Sequence, residues 1–288
     1  MDLSGVFRIA QCLPESRWKV RVGRLTAAAA ALGGVDPISL ICMKDGSQMY
    51  LDPRGRTEAG ACWNGTYEPE VVALLIRCCE RFGTPMFDIG ANVGLISIPV
   101  AHRLRSPDSV IAFEPIPENM QRLERSIEVN ELGNAIRPLL VALGESEGTM
   151  RLAREASFGV GTGNAVPVEV AGGQPSHIAT VPVRALDSFD DLPGPAVIKM
   201  DVEGYEVHVL RGATATIERS RPIIFGEFNN VFMPRLGVSF LDADAVLGPL
   251  GYRYFSFRNS GSIEQVPPRP DLGNVLAVPC EKVERLPV

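Results

Sequence analysis

From residue 86 onward, short apolar stretches alternate with helix-patterned ones, and this alternation limits the fold more than any other feature of the chain. Residues 86–89, 110–113, 136–142, 196–200 and 222–228 read as buried strands, and 93–105, 117–130 and 205–218 as the helices between them. In the helix at 117–130, Met120, Leu123 and Ile127 share one face. Near-continuous apolar strands separated by helices need cover on both sides. The expected fold is therefore α/β, a doubly wound and mostly parallel sheet of Rossmann-like type. Residues 252–257 and 274–278 read as antiparallel strands that close it.

The first part of the chain is patterned differently. A basic, amphipathic helix is expected around residues 16–32, carrying Arg17, Lys19, Arg21 and Arg24. Two short strands, 38–43 and 47–51, flank Lys44-Asp45-Gly46, and an Asp-Gly pair between alternating runs signals a hairpin. A helix over 70–82 follows, with Val71, Leu74, Leu75, Cys78 and Cys79 on one face. A chain of 288 residues has room for two domains, but this order of elements reads as one domain over 61–288 with residues 1–60 as a helix-and-hairpin appendage. Residues 145–180, rich in glycine, interrupt the alternation. They read as a lid over a ligand or as a plain connection, with strands at its edges over 149–152 and 181–186.

Composition narrows the partners. Lys and Arg number 28 against 34 Asp and Glu, a net charge of −6, which argues against a surface for nucleic acid. No run approaches the roughly 18 apolar residues that span a bilayer, so no integral membrane segment is expected. The alanine-rich stretch within 25–32 begins too far from Met1 for a secretory signal. Six cysteines form no CxxC pair, and Cys78 and Cys79 are adjacent, which suits neither a mutual disulfide nor a shared zinc. Free thiols in a reducing, cytoplasmic setting are expected. The choice between a monomer and a homo-oligomer stays open.

In open parallel sheets ligands bind beyond the carboxyl ends of the strands, so the residues after each strand matter most. The first strand runs into Asp88-Ile89-Gly90-Ala91-Asn92-Val93-Gly94, a sharp turn leading to a helix. The second runs into Glu114, an acid able to accept both hydroxyls of a ribose. The GxGxxG of dinucleotide enzymes is absent, because Asn92 stands at its second glycine. Asp88 would repel a pyrophosphate and suit a cation, such as an amino group beside a sulfonium, which favours S-adenosylmethionine over a nicotinamide dinucleotide. A tight turn without any ligand is the alternative.

Several separated motifs then agree in order. Phe87-Asp88-Ile89-Gly90-Ala91-Asn92-Val93-Gly94, Phe113-Glu114-Pro115, Ala142-Leu143-Gly144, Leu186-Asp187-Ser188-Phe189 and Ile198-Lys199-Met200-Asp201-Val202-Glu203-Gly204-Tyr205-Glu206 resemble the signature of the FkbM family of S-adenosylmethionine-dependent methyltransferases. Val209-Leu210-Arg211-Gly212-Ala213, Pro222-Ile223-Ile224-Phe225-Gly226-Glu227 and Gly65-Thr66-Tyr67-Glu68-Pro69 extend the likeness, which covers about residues 60–230. The resemblance implies a class I methyltransferase fold and methylation of a hydroxyl on a small molecule, often a sugar or secondary metabolite. It implies Asp88, Gly90, Asn92 and Gly94 around the methionine half of the cofactor, and Glu114 with Pro115 at the ribose. Ala142 and Leu143 would lie near the adenine, as would the segment before Glu118. Tyr67 and Glu68 would close over the methionine end, and Asp201 would lie beside the cofactor.

Methyl transfer needs positioning, and a hydroxyl acceptor also needs its proton removed. The candidate bases are Asp201, Glu203, His208 and Glu227, with Asp201 and Glu227 leading. Asp201 could instead cap a helix, and Glu203 could be a first-turn residue favoured by the helix dipole. Asp201, Glu203 and Glu227 could also offer oxygens to Mg²⁺, but they form no dedicated cluster in sequence and no metal is assigned. Phe158, Asn229, Asn230 and Arg235 are candidates for the acceptor side, and Trp63 reads as core before it reads as a stacking platform. Two other functions stay open: methylation of an amine or amide, and a catalytically silent scaffold that keeps the nucleoside pocket.

Overall fold

The computed structural model describes residues 4–12, 23, 38–154, 165–169, 171, 178–258 and 261–287. Apart from residue 23, the helix expected at 16–32 lies outside them, as does Phe158. The chain opens with α1, Ser4–Gln11, followed by the antiparallel pair β1, Ser39–Cys42, and β2, Gln48–Leu51. Asp45 closes that hairpin by accepting hydrogen bonds from the Ser47 backbone N–H at 3.0 Å and its hydroxyl at 2.7 Å. A helix that the sequence reading did not anticipate, α2, Arg56–Asn64, brings Trp63 edge-on to Phe7 at 4.8 Å. Next comes α3, Pro69–Phe82, opened by its proline and burying Val71, Leu74, Leu75, Cys78 and Cys79.

The sheet begins at β3, Met86–Ile89, and continues through α4, Ser97–Leu104, β4, Val110–Phe113, α5, Pro117–Val129, and β5, Ile136–Leu139. The strand expected over 136–142 stops at Leu139. Pro138 has no N–H to give a neighbour, so it fits an edge, and β5 is the edge of the sheet. Leu140 then turns out to solvent, and β6, Ala142–Leu143, joins a different sheet. There it meets β7, Gly148–Arg154, β8, Ala165–Pro167, and β9, Ile178–Arg184, in the order β6-β9-β7-β8. The interrupting stretch thus carries a small sheet of its own.

The main sheet resumes at β10, Val197–Met200. The single helix expected over 205–218 is two, α6, Glu206–Arg211, and α7, Thr214–Ser220. The break falls where Gly212 lies against the Gly144 carbonyl oxygen, 1.9 Å from where a Cβ would be. From a separate segment, Asp187 caps α7, accepting from the Ala215 and Thr216 N–H groups at 2.9 and 2.8 Å. The chain finishes with β11, Ile223–Glu227, α8, Phe240–Leu247, β12, Tyr252–Phe257, β13, Ile263–Val266, and β14, Asn274–Pro279. Neither α8 nor β13 was evident from spacing.

Strand order in the main sheet is β13-β12-β14-β11-β10-β3-β4-β5. The run from β11 to β5 is parallel, while β14 and β12 enter antiparallel. Alternation along the strands supplies two cores. Met86, Val110, Val197 and Phe225 pack with α3, α4 and α5 on one face, and Phe87, Ile111, Ile198 and Met200 with α6, α7 and α8 on the other. The doubly wound α/β architecture follows directly from the alternating pattern.

The early segment is fastened to this sheet through α5. Asn130 accepts from the Gln48 N–H at 2.9 Å and donates to the Gln48 carbonyl at 2.6 Å. Glu58 and Arg122 form a buried, two-pronged ion pair at 2.6 and 3.1 Å, and the same carboxylate accepts the Asp52 N–H at 2.7 Å. No helix among the described residues is long and apolar enough to cross a membrane.

Candidate active site

A cavity of about 300 Å³ opens where β3 lies between β4 and β10, beyond the carboxyl ends of the parallel strands. Its wall includes Tyr67, Glu68, Gly90, Asn92, Glu114, Pro115, Ala142, Leu143, Asp201, Glu203 and Glu227, so eleven of the residues singled out in the sequence meet there. Met150 and Leu152 of β7 and Ala165 and Pro167 of β8 add an apolar wall from the small sheet.

Asp88 and Gly94 are not part of that wall. Asp88 is fully buried behind the first turn, where it accepts from the Ser97 hydroxyl at 2.6 Å and sits 3.3 Å from the Lys199 ammonium. Gly94 faces Leu123 and Ile98. Gly90 is required by protein packing: at φ +79° it passes so close to the Asp201 carbonyl oxygen that a Cβ would lie 2.0 Å away. The first turn and the end of β10 are therefore pressed together.

Glu114 closes β4 as a buried acceptor. It receives the Asn92 N–H at 2.9 Å, the Ile116 N–H at 3.0 Å and the Asn119 amide at 3.1 Å. Burial pushes its carboxyl up to about 7, and these three donors oppose the shift. Because Asn119 donates its Nδ2 to Glu114, its Oδ1 faces away; that atom is buried and has no hydrogen-bond partner among the described residues. Asn119 is 4% exposed and lines the cavity, so this orphan acceptor calls for a donor from a ligand.

The other end is acidic. Asp201 follows β10, and its N–H donates to the Ile89 carbonyl at 3.0 Å. Burial raises its carboxyl, and Lys199, 3.9 Å away, pulls it back down. Glu203, at φ +52°, accepts from the Asn229 amide at 3.0 Å and is pushed up to about 8 by burial and by the charges of Asp201 and Glu227. Glu227, ending β11, is raised to about 7, chiefly by Asp201 and then by burial. Glu68 and Tyr67 are both raised, each mainly by burial. Behind this group Glu206 is fully buried and accepts from the Val202 and Gly204 N–H groups at 3.2 and 3.1 Å, fixing the loop that presents Asp201 and Glu203. Burial lifts Glu206 to about 8.

Other candidates lie elsewhere. His208 stacks on Tyr205 at 4.3 Å and faces Glu145 at 3.5 Å, outside the cavity. Asn230 donates to the Asp271 carbonyl, Arg235 rests over Phe232, and Trp63 is core. Among the described residues, no three His, Cys, Asp or Glu side chains are grouped to hold a metal ion. The sequence reading gave Lys199, Tyr205 and Glu206 a place in a motif but no role, and Asn119 no mention. Lys199 had a visible signal, a charge inside the apolar run Val197-Ile198-Lys199-Met200, where an unpaired lysine could not be buried.

The sequence profile described as the methyltransferase FkbM domain matches residues 88–254. The hexuronic acid methyltransferase AglP of Haloferax volcanii is 28% identical over 151 residues, which cover 52% of this chain and 58% of that protein. The chain thus aligns with little more than half the length of that curated relative. Among solved structures, methyltransferase FkbM from Methylobacillus flagellatus KT is 20% identical and superposes with a TM-score of 0.43, covering 67% of this chain and 42% of that one. M. jannaschii TYW2 in complex with AdoMet is 12% identical with a TM-score of 0.45, covering 85% of each chain.

Proposed function

The chain belongs to the methyltransferase FkbM family, and from that premise we propose that it moves a methyl group from S-adenosylmethionine to a hydroxyl of a sugar-containing or related small molecule. The observation that carries this reading is the single cavity that joins a ribose-type acid, Glu114, to a carboxylate group at the ends of β10 and β11. When bound, S-adenosylmethionine supplies an activated methyl on a sulfonium.

The residues present fit such a ligand. Glu114 accepts hydroxyl donors, and the unpartnered Oδ1 of Asn119 offers a second acceptor on the same side. Ile116, Ala142 and Leu143 give an apolar slot for a flat base, backed by β7 and β8. Tyr67, Glu68 and Asn92 face the amino-acid end. Asp88 acts from behind, holding Lys199, which in turn steadies Asp201.

Asp201, Glu203 and Glu227 take the acceptor's proton between them. Carboxyls raised to about 7 and 8 suit a group that must gain a proton near neutrality and lose it again to water. Positioning by the cavity walls supplies most of the rest, roughly 7–11 kcal/mol in well-oriented systems. A sugar acceptor is supported by the hexuronic acid named for the AglP relative. Residues 61–288 would form the catalytic domain, with 1–60 as an appendage, and the six free cysteines support a reducing, cytoplasmic setting.

The test is a transfer assay with methyl-labelled cofactor against a panel of sugars and their glycosides. Label appearing as a methyl ether supports the reading. Cofactor binding without transfer to any hydroxyl, together with transfer to amines, would replace it.

A further inference from the structure

The turn after β4 is tied to itself, and the tie limits what Glu114 can still accept. Pro115 and Pro117 restrict the backbone on both sides of Ile116. Oε1 of Glu114 already accepts two hydrogen bonds, from the Ile116 N–H at 3.0 Å and the Asn119 Nδ2 at 3.1 Å. Oε2 accepts a third, from the Asn92 N–H at 2.9 Å. An ionised carboxylate offers about four acceptor positions, so Glu114 has room for about one further donor, at Oε2.

A ribose brings two adjacent hydroxyls, and each is a donor. The next acceptor is Oδ1 of Asn119. This residue sits in the first turn of α5, its N–H on the Ile116 carbonyl at 3.1 Å and its side chain clamped by Glu114. The clamp commits Nδ2 to the carboxylate and leaves Oδ1 buried without a hydrogen-bond partner, in a residue 4% exposed that lines the cavity. Such an acceptor is costly until a ligand supplies a donor. Asn92 also has an unpartnered buried Oδ1 on the wall, but it meets Glu114 through its backbone N–H, so the acid does not orient its side chain. Glu114 Oε2 and Asn119 Oδ1 belong to one unit, joined through a single N–H···O link.

We propose that the protein divides the ribose diol, taking one hydroxyl on Glu114 Oε2 and the other on Asn119 Oδ1, so that Asn119 is a second specificity residue for the nucleoside. This rests on the reading of the cavity as a cofactor site. Glu114 alone then holds half of the diol, and the two possible deoxy forms of the ligand each leave a different protein oxygen unpaired.

Titration calorimetry of the full chain with S-adenosylhomocysteine and its 2′-deoxy and 3′-deoxy analogues tests this without knowledge of the acceptor. Each analogue should bind the native chain about tenfold or more weakly, because each strands a buried acceptor. Asn119→Leu keeps the shape over Oε1 and removes the acceptor. It should weaken S-adenosylhomocysteine by about tenfold, become indifferent within about twofold to loss of one hydroxyl, and stay sensitive to loss of the other. An Asn119→Leu chain that responds to both analogues as the native chain does overturns the inference and leaves the cofactor reading intact. So does indifference that appears in Asn92→Gly instead, or indifference only to S-inosylhomocysteine, which would put Asn119 on the base amine. If the variants fail to fold, a structure of the native chain with S-adenosylhomocysteine decides: one ribose oxygen should lie within about 3.2 Å of Asn119 Oδ1 and the other that close to Glu114, and both on Glu114 overturns the division. Binding of none of these ligands overturns the cofactor reading itself, and the inference with it.

Discussion

Lys199 and Asp88 are register partners on adjacent parallel strands, with the ammonium 3.3 Å from the carboxylate in almost complete burial. The pair welds β10 to β3 directly beneath the cavity. Removing one member strands the other without water, so Lys199→Met should cost about 3–5 kcal/mol in urea unfolding. The double variant Lys199→Met/Asp88→Asn should cost clearly less than the two single changes summed. Simple additivity would mean that the pair is not coupled.

Stability should fall as pH rises from weakly acidic to weakly alkaline. Glu114 and Glu227 are raised to about 7, and Glu203 and Glu206 to about 8, against an ordinary value of 4.5. A carboxyl with a raised folded value keeps its proton longer in the native state than in the unfolded chain. Its favourable contribution is complete below about 4.5 and is lost as pH climbs through 7 to 8. Thermal unfolding should show a lower Tm above that window than below it, and Glu206→Gln should flatten the profile. A Tm that rises across the window would contradict these shifts.

The α7 cap gives a local check on the fold. Asp187 is distant in sequence and holds two N–H groups of the first turn of α7. Asp187→Ala should cost about 0.5–2 kcal/mol in chemical unfolding, while Asp187→Asn should retain most of the stability. An unchanged midpoint in Asp187→Ala would show that the cap contributes nothing.

Much of this was legible in the chain. Met86–Ile89 and Val110–Phe113 begin and end where their apolar runs do, because a strand buried on both faces has little freedom in composition. What escaped depends on partners remote in sequence. Pro138 is tolerated within a strand because β5 is an edge, and Gly212 breaks a helix where Gly144 lies against it. At the site, acids following strands were easy to pick out. Their division of labour was not: Asp88 lies inside β3 and turns behind the wall to Ser97 and Lys199, while Glu114, just past the end of β4, faces the cavity. Asn119 and Glu206 were hidden for the same reason, since their importance lies in an unpaired buried oxygen and two backbone donors that only the folded loops create.

Proton removal should separate the three carboxylates kinetically. Among Asp201→Asn, Glu203→Gln and Glu227→Gln, the variant lacking the base should lose about 10²–10⁴-fold in kcat and flatten the acidic limb of the rate profile. The other two should lose less and keep that limb. Transfer rates with labelled cofactor at several pH values would resolve them. Full activity in all three would mean that the base lies elsewhere.

The central claim is that Glu114 and its neighbours hold the nucleoside of S-adenosylmethionine. Titration calorimetry of S-adenosylhomocysteine into the native chain and into Glu114→Ala tests it most directly. The native chain should bind, and the variant should bind at least about tenfold more weakly, because charge-assisted hydrogen bonds contribute about 1.5–3 kcal/mol. Equal affinity in the two proteins, or no heat from the native chain at millimolar ligand, would contradict the account.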